Sequence, residues 1–163
     1  MKKAAVIMGS INDLKQVQPC LDLLEQLGIP FEAHVYSAHR TPAAAAAFAA
    51  KARENGFGVM IAAAGEAAHL AGAIAAGTCL PVIGIPIKAS ALEGIDALLS
   101  TVQMPSGIPV AAVAIDGAYN AGMLAAQILS LGDEELAEKL IAMRKQMEED
   151  VLKKDCELQE KLK

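Results

Sequence analysis

A chain of 163 residues has the length of one ordinary domain, enough to bury a sizeable single core. Hydrophobic residues make up 54% of it, charged residues 20% and aromatics 3%, with no Trp. That apolar content excludes a solvated disordered chain, and no uninterrupted run of ~20 apolar residues marks a membrane span. The net charge of −5 argues against a nucleic-acid-binding face. Cys20, Cys79 and Cys156 are an odd number without metal-ligand spacing. They read as reduced thiols of a cytoplasmic protein.

Charge is unevenly spread. Residues 133–163 hold ten of the nineteen acids and seven of the fourteen bases. The body before them is therefore far below the ~25% charged residues of a typical domain. A surface that poor in charge is expected to be wrapped by the charged tail and buried against copies of the chain.

The opening Met1-Lys2-Lys3 and the short apolar run after it, too short for a leader, read as the start of a first strand at Lys3–Met8. Asn12 or Asp13 is expected to cap a helix running to Leu27, where Gly28 ends it. A second strand is predicted over 31–36. Thr41 then caps a helix with Pro42 at its first position, continuing through 43–50. A third strand over 59–64 ends at Gly65, and a small-residue helix over 67–76 follows. The fourth strand is predicted at 80–85 between Pro81 and Pro86, then a helix near 94–102. A fifth strand over 109–115 and a helix over 119–131 complete the body. Asp133 caps a long tail helix with the stripe Leu136, Leu140, Met143, Met147, Val151, Leu158 and Leu162.

Short apolar strands alternating with helices predict a three-layer α/β/α fold with a doubly wound, flavodoxin-like five-stranded parallel sheet. Residues 1–132 form the main unit, and 133–163 are a helix packing on the same or neighbouring subunits. In such sheets ligands lie beyond the strand C-termini, which selects the loops where chemistry is expected.

The first is Met8-Gly9-Ser10-Ile11-Asn12-Asp13, where a hydroxyl and a helix N-terminus suit a phosphate and Asp13 suits sugar hydroxyls. Its plain alternative is a tight turn with a cap. The second, Ser37-Ala38-His39-Arg40-Thr41-Pro42, pairs a proton carrier with a phosphate clamp. The third, Gly65-Glu66-Ala67-Ala68-His69-Leu70-Ala71-Gly72, lets backbone approach a ligand and projects His69 from the first turn of a helix. His34, in mid-strand, reads as structural, and Lys88 and Ser90 are undetermined. No metal-ligand spacing, dinucleotide fingerprint or nucleophile elbow is present. What remains is acid–base chemistry on a small phosphorylated compound.

MGSIND at 8–13, SAHRTP at 37–42, AAHLAG at 67–72, LPVIGIPI at 80–87, STVQMPSGIPV at 100–110 and NAGMLAAQIL at 120–129 together resemble the PurE family of purine biosynthesis. Within it they resemble the branch of N5-carboxyaminoimidazole ribonucleotide mutases. The resemblance covers most of residues 4–130. It implies a cytoplasmic homo-octamer with no metal and no organic cofactor, acting on a ribonucleotide with CO2 as an enclosed intermediate. By position it implies phosphate binding by Ser10, Ser37 and Arg40, and ribose binding by Asp13. It makes His39 the general acid/base and places His69 at the carboxylate pocket, with Ala38, Gly65, Ala68 and Leu70 lining the site. Glu66 departs from a common Gly and is expected to point away or toward a neighbouring subunit. Ala71 departs from a common Pro, and the segment 115–120 is shorter than usual. Two alternatives stay open: an aminoimidazole ribonucleotide carboxylase using free CO2, from which Arg40 and the AAHL segment lead away, and a non-catalytic nucleotide-binding module.

Overall fold

The computed structural model describes residues 1–162. Five parallel strands, β1 (Lys3–Met8), β2 (Phe31–Val35), β3 (Phe57–Gly65), β4 (Val82–Ile87) and β5 (Ala111–Ala112), lie in the order β2-β1-β3-β4-β5. The helices are α1 (Leu14–Leu27), α2 (Pro42–Lys51), α3 (Leu70–Ala76), α4 (Ile95–Val102), α5 (Ala118–Ser130) and α6 (Glu134–Lys161). This is the flavodoxin-like, doubly wound order. The connections reverse direction between β1 and β3, which opens a crevice at their C-terminal ends.

Alternation along the strands divides the core in two. Ala4, Val6 and Met8 of β1, with Val59, Ile61 and Ala63 of β3, pack beneath α1 and α5. Ala5, Ile7, Met60 and Ala62 face α2 and α3 on the other side. A sheet covered on both faces needs near-continuous apolar strands, and that is what these segments supply. Thr101 of α4 and Ala71 of α3 both stand over Gly84, where a Cβ would come 2.3 Å from Thr101 Cγ2. A side chain there would push α4 off the sheet.

Several boundaries differ from expectation, each for a local reason. β4 runs two residues past 85 because Pro86 stays inside the strand instead of ending it. Gly84 and Pro86 both turn their carbonyls toward β5, accepting from Val113 and Asp116. The N–H that Pro86 lacks is therefore missing on that side, and the ladder to β5 shrinks from the predicted seven residues to Ala111–Ala112. The small-residue helix over 67–76 begins only at Leu70, so His69 is its N-cap and not part of its first turn. Asp13 stands at the N-cap position of α1 without a side-chain cap bond, and Ser10 caps the 3-10 turn Ile11–Asp13 that precedes it. Thr41 stands at the start of α2 without a side-chain cap bond.

Asp133 caps α6 by accepting from Leu136 N. Leu136 is fully buried, and Leu140 and Met143 pack on the core, but Val151, Leu158 and Leu162 further along the same stripe are exposed. Among the described residues, no helix is long and apolar enough to cross a membrane.

Candidate active site

Three loops converge at the β1/β3 crevice. The first leaves β1 through Gly9 and Ser10. Ser10 Oγ accepts from Asn12 N at 3.2 Å, and Ser10 N donates to Asp13 Oδ2 at 3.1 Å. This reciprocal cap fixes both side chains at the head of a helix, where free N–H groups favour an anion. Burial raises the Asp13 carboxyl above its ordinary value; the Ser10 N–H opposes the rise and the nearby Asp116 charge adds to it.

The second loop is knotted around Ser37. Its hydroxyl oxygen accepts from the N–H groups of His39 and Arg40 at 3.3 and 3.1 Å. Thr41 Oγ1 accepts from Ser37 N at 2.9 Å and donates to Ser37 O at 3.2 Å, which is why it is not free to cap α2. With both acceptor bonds spent on the loop, the Ser37 hydroxyl retains its proton for a ligand.

The third loop leaves β3. A Cβ on Gly65 would lie 3.0 Å from Ala89 Cβ and 3.2 Å from Ile87 O, so a larger residue would part β3 from the end of β4. Glu66 follows at φ 52°, in the left-handed region. The turn closes with Ala68 N donating to Glu66 O and His69 N to Ala67 O, at 2.9 and 2.8 Å. It delivers His69 to the second loop, where His69 Nδ1 lies 2.8 Å from His39 Nε2. The rings meet edge to face, 4.9 Å between centroids. One ring donates and the other accepts, so the two facing nitrogens share a single hydrogen.

Ser10, Asp13, Ser37, Ala38, His39, Arg40, Gly65 and Leu70 line one cavity of about 400 Å³, large enough for a mononucleotide. Of the residues expected at the site, Ala68 is buried and does not line the cavity, and His69 reaches it through His39. Glu66, expected to point away or toward a neighbouring subunit, is itself part of the cavity wall. Ala89 was missed; its only signal in the sequence is its place just beyond β4. His34 stays apart, stacked on Tyr36 at 5.4 Å and close to Phe48. Among the described residues, no three His, Cys, Asp or Glu side chains cluster to hold a metal ion.

Known proteins resemble this arrangement along nearly its whole length. The N5-carboxyaminoimidazole ribonucleotide mutase of Pyrococcus horikoshii is 53% identical over 155 residues, covering 95% of this chain and 88% of the relative. The mutase of Saccharolobus solfataricus is 51% identical over 152 residues, covering 93% of this chain and 96% of the relative. The crystal structure of Treponema denticola PurE superposes with a TM-score of 0.86 at 27% identity, covering 95% of this chain and 97% of that one. The family model described as AIR carboxylase matches residues 3–150, and the chain belongs to that family.

Proposed function

We propose that the protein is an N5-carboxyaminoimidazole ribonucleotide mutase of purine biosynthesis, moving a carboxyl group from the exocyclic nitrogen to C4 of the imidazole. One observation carries the reading: a bonded pair of imidazoles, His39 and His69, of which His39 lines a mononucleotide-sized cavity whose other polar groups suit a ribose phosphate. Relatives about half identical over nearly the whole chain carry that name.

The phosphate sits against Ser10, the Ser37 hydroxyl and Arg40, an exposed residue of the cavity wall. Asp13 accepts from the ribose hydroxyls. Ala38, Gly65 and Leu70 keep their part of the wall small and apolar. The carbamate C–N bond then breaks, its electron pair returns to the nitrogen, and the nitrogen takes up a proton. CO2 is set free beside C4, and enclosure makes its recapture effectively intramolecular. C4 bonds to the CO2 carbon, and loss of the C4 proton restores aromaticity. One proton arrives at nitrogen and one leaves C4, so a single acid/base group ends each cycle as it began. His39 performs both transfers, and His69 holds its ring and shares its hydrogen. No metal or organic cofactor enters these steps.

The assembly is part of the proposal. Ile95, Leu99 and Val102 on α4 are exposed, as are Val151 and Leu158 on α6, in a chain whose body is short of charge. Residues 1–132 then form the catalytic unit, and 133–163 pack across neighbours in a cytoplasmic homo-octamer that closes the cavities. Light scattering of the purified protein should give eight times the chain mass. A monomer would refute this part.

The family description keeps one rival in view: carboxylation of aminoimidazole ribonucleotide by free CO2. Purified protein is assayed with the carbamate, and separately with aminoimidazole ribonucleotide plus bicarbonate. Efficient turnover of the carbamate alone supports the mutase. Turnover only with bicarbonate transfers the assignment to the carboxylase.

A further inference from the structure

The strand ends on the far side of the cavity carry a second polar arrangement. The chain leaves β5 through Asp116, whose N–H donates to Pro86 O at 2.8 Å and whose Oδ1 accepts from Lys88 N, also at 2.8 Å. Asp116 therefore grips the end of β4 at two points, straddling Ile87. Lys88 in turn forms an ion pair with Glu93. The next residue, Ala89, lines the cavity and packs on Gly65.

Asp116 has φ 55°, a conformation that L residues avoid and that Asp and Asn tolerate best because their short polar side chains bond locally. Here the local bond reaches the neighbouring strand end, at the place where Pro86 has broken the ordinary ladder between β4 and β5. Gly117 follows with no room for a side chain: a Cβ would lie 2.7 Å from Ala114 O. The turn is thus built to hold Asp116 in this position.

We propose that Asp116 is a positioning residue of the nucleotide site: it ties the Lys88–Ala89 rim to the end of β5 and so holds Ala89 in the cavity wall against Gly65. The proposal rests on the nucleotide site described above.

The test measures the affinity of the full-length protein for aminoimidazole ribonucleotide by calorimetry at neutral pH, on variants whose circular dichroism matches the parent. Asp116→Asn keeps the backbone preference and an acceptor for Lys88 N, and should bind as the parent does. Asp116→Gly suits the left-handed backbone but removes the acceptor, and should bind about fivefold more weakly, the worth of one hydrogen bond. If Asp116→Gly binds as the parent does, or if Asp116→Asn is as weak as Asp116→Gly, the role of Asp116 is overturned. A parent protein that does not bind the ribonucleotide would instead overturn the nucleotide site itself, and the two failures are distinct.

Discussion

His39 and His69 come from loops thirty residues apart in sequence, yet Nε2 of the first lies 2.8 Å from Nδ1 of the second. The contact joins the loop after β2 to the loop after β3, across the end of β1. Glu32 and Glu66, the carboxylates nearest in sequence to His39 and His69 respectively, do not form its bond. The partner that orients His39 is another titratable ring, so the hydrogen on His39 depends on its neighbour.

From that bond the two histidines should behave differently on substitution. His39→Asn removes the acid/base group and should lower kcat by about 10²–10⁴-fold. His69→Asn leaves that group in place but unsupported, and should cost on the order of tenfold, mostly in kcat with KM little changed. Steady-state kinetics with the carbamate substrate, on variants whose circular dichroism matches the parent, separates the two. Equal losses would make His69 a second acid/base group rather than a support.

Asp13 gives a prediction with a sign. Burial raises its carboxyl above the value it has in the unfolded chain. The folded protein therefore holds that proton more tightly, and this contribution is complete at low pH and is lost as pH rises through the folded value. At neutral pH the ionised group works against folding. Asp13→Asn keeps an acceptor for Ser10 N and removes the charge, so it should raise neutral stability. The advantage should shrink as pH falls below the carboxylate range. Urea unfolding at pH 7 and pH 4 checks the sign, while the same variant should bind ribonucleotide more weakly.

Cys20, on the inner face of α1, is fully buried in the core, and burial pushes its thiol up to about 12. Iodoacetamide at pH 8 should leave it unmodified in the folded protein and alkylate it completely in urea. Peptide mapping by mass spectrometry reads both states. Modification of Cys20 without denaturant would mean that α1 opens locally.

The parts of this protein that could be read from sequence are those governed by local pattern. Apolar strands bounded by Gly and Pro gave the element order, and the doubly wound rule then placed Ser10, His39 and Gly65 at one end of the sheet. Pairings between distant loops have no local pattern, so neither the His39–His69 bond nor the Asp116–Lys88 tie could be seen. Pro86 was misread for the opposite reason. Its local rule, that proline ends a strand, yields here because the side of β4 that loses the N–H faces β5, which is scarcely paired. Glu66 stood out in the sequence only as a departure from a common Gly; its φ of 52° gives that departure a physical meaning.

Gly65 and Glu66 are adjacent, and opposite substitutions should have opposite effects. Glu66 is an L residue in the left-handed region, at a cost of about 1–2 kcal/mol, of which the extra unfolded-chain entropy of a glycine would return part. Glu66→Gly should therefore stabilise the protein by roughly 0.5–1 kcal/mol, raising the melting temperature by about 1–4 °C. At Gly65 the backbone is ordinary but space is lacking, because a Cβ would meet Ala89 Cβ at 3.0 Å and Ile87 O at 3.2 Å. Neither neighbour is the flexible end of a long side chain. Gly65→Ala should cost about 1–3 kcal/mol as the ends of β3 and β4 separate. Because that separation carries Ala89 away from the cavity, activity should fall with it. Calorimetric melts of both variants decide the matter: a stabilised Gly65→Ala, or a destabilised Glu66→Gly, would mean that the turn after β3 is held in a different conformation.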